Sequence, residues 1–239
     1  MRYRTKNLRD ETPEVLNKLA KFNPYIARVY DYPEFLLPHP TTENFQELWA
    51  KKNKDNLGDA YPSNIHIEIG CGSGRYLIEW ALENPQDFFI GLELRYKRLV
   101  LTAKKIQKHK LQNILLLRER GEFLDEYLTH KSIDCLHINF PDPWAKEAKR
   151  KHRILSAEFL TKMRPYFCTG GELRFKTDHL EYFKTVTGIL NKLEFFTIDQ
   201  QTEDLHQSPF NAENILTEFE MLFKSKGNPP IGYLRAIIL

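Results

Sequence analysis

An acid and three glycines lie close together in the segment NIHIEIGCGSG. The strand-like run Ile65 to Ile69 contains Glu68 near its end, and it is followed by three glycines at alternate positions, Gly70, Gly72 and Gly74. A turn that binds pyrophosphate usually has a G-x-G-x-x-G spacing with backbone amides facing the anion, and a carboxylate there would repel phosphate. The pattern therefore favours a nucleotide-like ligand that carries positive charge.

S-adenosylmethionine is such a ligand, because it carries a sulfonium and an ammonium group and no phosphate. Glu93 lies about twenty residues beyond the glycines, the separation at which an acid after the second strand reaches ribose hydroxyls. Together the two features favour methyl transfer over hydride transfer. The alternatives are a glycine turn without a ligand and, for Glu93, an exposed charge or a partner for Arg95 or Lys97.

A rigid acidic turn follows the fourth strand-like run, in the segment Asn139-Phe-Pro-Asp-Pro-Trp144. The prolines on both sides of Asp142 fix φ and disfavour helix at the residues before them, so the carboxylate is held at the edge of the sheet. Trp144 offers a face on which a base could stack. The alternative is a stiff surface turn with a capping aspartate.

Basic residues are clustered although the net charge is only +3. One block follows the acidic turn, with Glu147 as its single opposing charge, and contains Lys146, Lys149, Arg150, Lys151 and Arg153. An N-terminal arm contains Arg2, Arg4, Lys6 and Arg9. A charge run is often only a solvated face, but a cationic block beside a carboxylate and an aromatic ring is what a nucleic-acid methyltransferase needs.

Strand-like and helix-like runs alternate from Ile65 onward. The apolar runs are Ile65–Ile69, Phe88–Leu94, Asn113–Leu117, Ile133–Phe140, Glu172–Lys176 and Tyr233–Leu239. The helix-like segments between them carry one apolar face, as at Leu99, Ala103 and Ile106 or at Leu180, Phe183 and Leu190. This alternation predicts an α/β fold with a doubly wound, mainly parallel sheet, whose chemistry lies at the carboxyl ends of the strands.

Residues 1 to 60 lack a clear period and contain scattered prolines, so they predict an irregular N-terminal extension with a short helix near Glu43 to Lys51. Residues 61 to 239 form the predicted catalytic domain. No apolar leader and no run of membrane-spanning length is present, so we expect a cytoplasmic protein without membrane contact. The three cysteines Cys71, Cys135 and Cys168 form no C-x-x-C pair, and we expect buried thiols rather than disulfides or a metal site.

Taken together, these motifs resemble the bacterial tRNA (guanine-N7-)-methyltransferases. The resemblance is carried by the E-x-G-x-G-x-G turn, Glu93, the Phe-Pro-Asp-Pro-Trp run followed by Lys146, the Thr177-Asp178 pair and the run Thr217-Glu218-Phe219-Glu220. It covers the chain from about Arg2 to the C-terminus. It implies a Rossmann-like fold of the class I S-adenosylmethionine-dependent type, tRNA as partner, and guanosine 46 of the variable loop as target.

The resemblance also implies roles for individual residues. Cofactor contacts are implied for Glu68, Gly70, Gly72, Gly74, Glu93, Arg120 and Asp142, and RNA contacts for Lys146, Asp178, Thr217, Glu218, Phe219 and Glu220. The family commonly has an aspartate where this chain has Arg120, and arginine cannot accept a hydrogen bond from the adenine amino group. Either the Arg120 backbone serves, or Glu119 or Glu122 supplies the carboxylate.

The chemistry asks for positioning more than for proton transfer, because guanine N7 already carries an in-plane lone pair. Positive charge moves onto the purine during transfer, so a fixed anion beside it favours the transition state. Asp142 is the predicted catalytic residue, and its carboxylate can also accept hydrogen bonds from the N1 and amino edge of guanine. Thr217 to Glu220 predicts a capping box, which either holds the base or the cofactor or only begins a helix.

Two other functions share this fold. An exocyclic-amino methyltransferase has a similar proline-flanked motif after the fourth strand, but with a proline where this chain has Asp142. A catalytically silent RNA-binding subunit would not need intact Glu68, Glu93 and Asp142. The quaternary state is open between a monomer and a homodimer.

Overall fold

The computed structural model describes residues 13–57, 62–224, 227 and 229–239. The predicted basic arm with Arg2, Arg4, Lys6 and Arg9 lies outside these residues.

An eight-stranded sheet forms the centre of the molecule, in the order β1-β4-β3-β2-β5-β6-β8-β7. The strands are β1 Leu36–Leu37, β2 Ile65–Ile69, β3 Phe88–Leu92, β4 Ile114–Leu117, β5 Ile133–Asn139, β6 Phe167–Thr177, β7 Phe196–Thr202 and β8 Gly232–Ile238. All neighbouring pairs are parallel except those that β8 makes with β6 and β7. The predicted doubly wound α/β fold is confirmed, and the order of strands reverses between β2 and β5, where such sheets open a ligand crevice.

Helices connect the strands. They are α1 Pro13–Ala20, α2 Tyr25–Arg28, α3 Thr42–Leu57, α4 Arg75–Glu83, α5 Tyr96–His109, α6 Ala157–Met163, α7 Leu180–Leu190 and α8 Glu218–Lys224. The predicted apolar face of α5 is buried at Leu99, Ala103 and Ile106, and α7 buries Phe183 and Leu190. These faces pack on the sheet and so fix the loops at the carboxyl ends of its strands.

The segment before β2 is more regular than we expected. The sequence predicts a single short helix there, whereas the structure has α1, α2, a longer α3 and the edge strand β1. Leu36 and Leu37 pair with Leu116 and Leu117 of β4, and Leu36 is buried. A strand of two residues between prolines has no period to detect, so the sequence pattern does not reveal it.

In the described part of the chain, none of the helices combines the length and the apolar character that crossing a membrane requires. The thiols of Cys71 and Cys135 are buried as expected, but Cys168 is only half-buried.

Candidate active site

Four of the predicted acids converge at one end of the sheet. Glu68 lies near the end of β2, Glu93 directly after β3, Asp142 in the loop after β5, and Asp178 directly after β6. Because β2, β3, β5 and β6 are parallel neighbours, their carboxyl ends lie side by side. The topology thus brings together residues that are far apart in the sequence.

The glycine turn after β2 depends on its glycines. Gly70, Gly72 and Gly74 have φ of 81°, 59° and 79°, a left-handed region in which other residues are strained. A Cβ at Gly74 would lie 2.4 Å from Cγ2 of Thr102, whereas one at Gly70 would meet nothing within 4 Å. The turn therefore packs closely on α5 at one end and leaves open space beside Gly70.

Glu68 is a buried acid with one oxygen to spare. Only 2% of the surface of Glu68 is exposed. Its Oε1 accepts a hydrogen bond of 2.9 Å from Nδ2 of Asn139. Its Oε2 is buried and has no hydrogen-bond partner among the described residues. Burial raises the pKa of Glu68 to about 8. A cationic ligand would satisfy the orphaned oxygen and restore the charge of the carboxylate.

Glu93 lies directly after β3, the strand next to β2. Its Oε1 accepts a hydrogen bond of 2.8 Å from the backbone N–H of Arg95, and its Oε2 lies 3.8 Å from a guanidinium nitrogen of Arg98. Glu93 is therefore a hydrogen-bond partner of Arg95, as the alternative interpretation expected, but of its backbone N–H. The residue is buried, and a carboxylate oxygen can accept more than one hydrogen bond, so the contact with ribose stays a prediction.

Both carboxylates predicted for the adenine end, Glu119 and Glu122, have hydrogen-bond partners. Glu119 accepts hydrogen bonds from the Arg120 backbone N–H at 2.7 Å and from the Tyr127 hydroxyl at 3.0 Å. The guanidinium of Arg120 donates to Glu122 at 3.0 Å. Glu122, which is exposed, remains as the carboxylate that could turn toward a ligand.

The loop after β5 is held in an unusual backbone geometry. Phe140 and Trp144 have φ of 48° and 42°, so two aromatic residues in the left-handed region bracket Pro-Asp-Pro. The N–H of Phe140 donates to the carbonyl of Lys176 at 2.8 Å, and Nε of Arg153 donates to the carbonyl of Pro143 at 2.7 Å. Asp142 is exposed between these two anchors, as its predicted role requires.

Arg153 is not part of an exposed basic block. It is buried, pairs with Glu181 at 2.9 Å and lies with its guanidinium 4.5 Å from the centre of the Tyr182 ring. Its predicted membership of an RNA-facing block is therefore wrong. The planar guanidinium of Arg153 donates both to the Pro143 carbonyl and to the Glu181 carboxylate. Arg153 therefore helps to hold the loop that carries Asp142 in place.

The other basic residues of the block lie in the exposed 3₁₀ helix Glu147–His152 or, for Lys146, directly before it. Lys146, Lys149, Arg150 and Lys151 are exposed, and Arg150 also lies 3.5 Å from Glu181. Nζ of Lys149 lies 5.7 Å from the centre of the Trp144 ring. Positive charge and an aromatic ring therefore lie next to Asp142.

The run Thr217 to Glu220 divides into buried and outward-facing residues. Thr217 and Glu220 form the predicted capping box, with the Thr217 N–H donating to Glu220 Oε2 at 2.8 Å and the Glu220 N–H donating to Thr217 Oγ1 at 3.1 Å. Both side chains are buried. In this conformation only Glu218 and Phe219 face outward, so the predicted RNA contacts of Thr217 and Glu220 would be indirect.

Glu218 and Phe219 join two parts of the site. Glu218 accepts a hydrogen bond of 3.0 Å from the N–H of Arg75, the first residue of α4 after the glycine turn. The ring of Phe219 stacks on that of Phe140 with 5.6 Å between centroids. One short segment therefore contacts both the glycine turn and the acidic loop.

Two residues that bond predicted site residues were not predicted from the sequence as part of the site. Asn139 holds Glu68, and Lys176 donates to Glu220 and to the segment before α8. A lysine between Phe175 and Thr177, in the buried last part of β6, was the available signal for the second. Nothing in the spacing indicates its partners, which lie about forty residues further along the chain.

Comparisons with known proteins identify the family to which this chain belongs. A family model described as a putative methyltransferase matches residues 62–231. A tRNA (guanine-N(7)-)-methyltransferase from Enterococcus faecalis is 34% identical over 203 residues, which cover 85% of this chain and 89% of that protein. The chain belongs to this family of methyltransferases.

One further relative and one solved structure are also similar to this chain. A bifunctional glycosyltransferase/methyltransferase from Fusobacterium nucleatum subsp. nucleatum is 38% identical over 90% of this chain, but the chain spans only 32% of that protein's length. A putative methyltransferase from Streptococcus mutans in complex with SAH has the same fold, with a TM-score of 0.51, 14% identity and coverage of 81% of this chain and 97% of that one. That protein binds SAH, which is S-adenosylmethionine without its transferable methyl group.

The residues present fit that cofactor. Glu68 offers a buried carboxylate oxygen without a described partner, and the space beside Gly70 admits a ligand next to it. Glu93 lies at the neighbouring strand end.

Proposed function

We propose that this methyltransferase transfers a methyl group from S-adenosylmethionine to N7 of guanosine 46 in the variable loop of tRNA, in the cytoplasm. The observation that carries the proposal is the pairing of Glu68, a buried acid with an orphaned oxygen, with Asp142, an exposed acid on a strained loop one strand away. The first suits a cationic cofactor and the second suits a purine that becomes cationic.

The proposed cofactor-binding residues have different roles. Glu68 binds positive charge, Glu93 binds ribose hydroxyls, and the glycines allow the ligand to approach the backbone. Glu122, or the backbone around Arg120, completes the adenine end. When bound, S-adenosylmethionine supplies a methyl group on a sulfonium, which a lone pair can displace.

Asp142 positions the purine and stabilises the charge that develops on it. Its carboxylate accepts hydrogen bonds from the N1 and amino edge of guanine and lies beside the ring as the ring becomes cationic. No proton has to leave N7 before attack, so no general base is needed. Lys146 and Asp178, both exposed at the same end of the sheet, contact the RNA around the target nucleotide.

The direct experiment is nucleoside mass spectrometry. An unmodified tRNA transcript is incubated with the protein and S-adenosylmethionine, digested and compared with a matched transcript in which guanosine 46 is replaced by adenosine. We expect N7-methylguanosine from the first and none from the second. N7-methylguanosine from both would reject position 46, N6-methyladenosine would support the exocyclic-amino alternative, and cofactor binding without any product would support a silent RNA-binding subunit.

A further inference from the structure

A lysine inside the sheet carries an inference beyond this function. Lys176 on β6 has only 3% of its surface exposed, and its three ammonium donors have three acceptors: Asn214 Oδ1, the Ile215 carbonyl at 2.9 Å and Glu220 Oε2 at 3.3 Å. Nζ also lies 4.8 Å from the centre of the Tyr76 ring. Burying an ammonium group costs free energy unless each of its donors has an acceptor. The buried position of Lys176 therefore depends on these three acceptors.

Glu220 is the centre of the same network. None of its surface is exposed, and besides Lys176 it accepts hydrogen bonds from the Thr217 N–H, from Asn214 Nδ2 at 2.9 Å and from His206 Nε2 at 3.2 Å. Burial acts to raise the pKa of Glu220, but Lys176 and these hydrogen bonds outweigh it and lower the pKa below its usual value. Glu220 is therefore an ionised partner for the buried lysine.

The network fixes a segment that contacts both halves of the site. Residues 214 to 220 contribute the Leu216 carbonyl, which accepts from Nε of Arg75 at 3.1 Å, and the side chain of Glu218, which accepts from the Arg75 N–H. Lys105 Nζ lies 3.4 Å from Glu218 and donates to the Ser73 carbonyl at 2.7 Å. The segment is thus pinned against the glycine turn on one side and, through Phe219, against Phe140 on the other.

We propose that Lys176 is a positioning residue for methyl transfer: by bonding Asn214, Ile215 and Glu220 it holds residues 214 to 220 so that Glu218 lies on the glycine turn and Phe219 on Phe140. This proposal rests on the proposed function, because it assigns a role within that reaction. Lys176 is almost fully buried, so it acts through this segment and not by its own contact with the RNA.

Stability alone does not explain the pair. A buried ion pair is often no more stable than an apolar pair of similar volume, whereas removal of one partner leaves a buried charge uncompensated. What an apolar pair could not do is bond the Ile215 carbonyl and the Asn214 amide at the same time. The lysine therefore selects one placement of the segment.

The test uses three variants of the full chain. Lys176→Met removes the ammonium group, the double variant Lys176→Met with Glu220→Gln removes both buried charges, and Asn214→Leu removes one anchor from a half-buried loop position. Lys184→Met is the matched control, since Lys184 is an exposed lysine whose ion pair with Glu203 lies at the surface. Each is measured below its own unfolding midpoint for SAH affinity by calorimetry and for tRNA methylation.

We expect kcat to fall by about a hundredfold in the double variant, because small misplacements of a catalytic constellation cost that much, and SAH affinity to fall by about tenfold. Asn214→Leu should show the same pattern to a smaller extent, and Lys184→Met should match the wild type. The loss in kcat should persist in the double variant even where its melting temperature recovers relative to Lys176→Met.

Folded double and Asn214→Leu variants with wild-type kcat and SAH affinity would overturn the proposal, as would a fall in melting temperature alone. If Lys176→Met does not fold, the other two variants give the decision. If the wild type does not methylate tRNA, the proposed function fails, but the difference in SAH affinity still tests whether Lys176 positions the segment on the glycine turn.

Discussion

Asp142 is placed by the backbone on either side of it. Phe140 and Trp144 adopt left-handed conformations, and the loop is bonded to Lys176 and Arg153 through its carbonyl and amide groups. The Asp142 side chain itself is exposed. Removing the carboxylate should therefore leave the loop in place and remove only its chemistry.

We predict that Asp142→Ala lowers kcat by at least about a hundredfold, the scale of losing one preorganised electrostatic contact. The melting temperature should stay close to that of the wild type, because the side chain is at the surface. Steady-state methylation of tRNA together with thermal unfolding checks both parts. Asp31→Ala, which changes an exposed aspartate outside the site, is the matched control. Near-normal turnover by a folded Asp142→Ala variant would reduce Asp142 to a turn residue.

Binding of the cofactor should change the protonation of Glu68. Burial raises the pKa of Glu68 to about 8, so at pH 7 the free protein holds this carboxyl mostly protonated. A cationic cofactor favours the ionised form, so binding should release close to one proton at pH 7 and affinity should rise with pH up to about 8. Calorimetry of S-adenosylmethionine binding in buffers of different ionisation enthalpy measures the released proton.

The Glu68→Gln variant separates this proton from those of other groups. Glutamine keeps an acceptor for the Asn139 amide but cannot titrate, so its binding should release fewer protons than that of the wild type. Equal proton release by the two proteins would mean that Glu68 does not face the charge of the cofactor.

At the scale of elements, the 3₁₀ helix Glu147–His152 is the candidate surface for the RNA backbone. We predict that replacing Lys149, Arg150 and Lys151 together with alanine weakens tRNA binding and flattens its salt dependence, by about 0.7 to 0.9 slope units for each phosphate that is no longer neutralised. Arg150 has Glu181 nearby, so it should contribute less than the two lysines. Filter binding across a salt series measures the slope.

A control for this surface removes the same charge elsewhere. Lys104, Lys108 and Lys192 are exposed and lie outside the helix, and their triple alanine variant should keep the wild-type slope. If both triple variants behave alike, the helix is only a solvated face. The arm with Arg2, Arg4 and Lys6 would then become the main candidate for holding the RNA.

The elements that could be predicted are those whose signal is local. β2 to β5 are apolar runs between helices with one apolar face, and their parallel order then places Glu68, Glu93 and Asp142 at one edge. β7 could not be predicted, because it lies at the edge of the sheet and contains only two apolar residues, Phe196 and Ile198. Arg153 looked like its basic neighbours, and only the packing against Tyr182 shows that it is buried.

The same limit applies within the site. The capping box of Thr217 and Glu220 was predictable, since its two residues lie within one turn of helix. The bond from Glu218 to the N–H of Arg75 joins positions 143 apart in the sequence, and the pairing of Lys176 with Glu220 spans 44. Such contacts depend on how the chain returns across the sheet, which no local pattern encodes.

At the scale of the whole molecule, a buried chain of hydrogen bonds runs from the start of β3 across β2 and β5 to α4. It links Asp87, His66, His137 and Tyr76, with donor–acceptor distances of 3.2, 3.1 and 3.0 Å in that order. Cys135 lies beside it, and the sulfur is 3.9 Å from Nδ1 of His137. Neutral histidines satisfy every link, because each ring can donate from one nitrogen and accept at the other.

This chain predicts how stability depends on pH. Burial lowers the pKa of both histidines below the ordinary value, against the attraction of Asp87 on His66, while His66 and Arg174 disfavour charge on His137. The unfolded chain therefore binds more protons than the folded one once the pH falls below about 6.5. The free energy of unfolding should fall below this pH, by up to about 1.4 kcal/mol per pH unit for each histidine, until the folded pKa is reached.

Urea denaturation between neutral and mildly acidic pH measures this loss of stability. The informative comparison is a variant carrying His66→Gln and His137→Gln, which keeps amide donors and acceptors along the chain but cannot titrate. Its stability should be lower at neutral pH, where the native links are intact, and should depend less on pH below about 6.5. His130→Gln, which changes an exposed histidine, should keep the wild-type pH dependence. If the double variant loses stability with acid as steeply as the wild type, the acid sensitivity of the fold comes from its carboxylates and not from this chain.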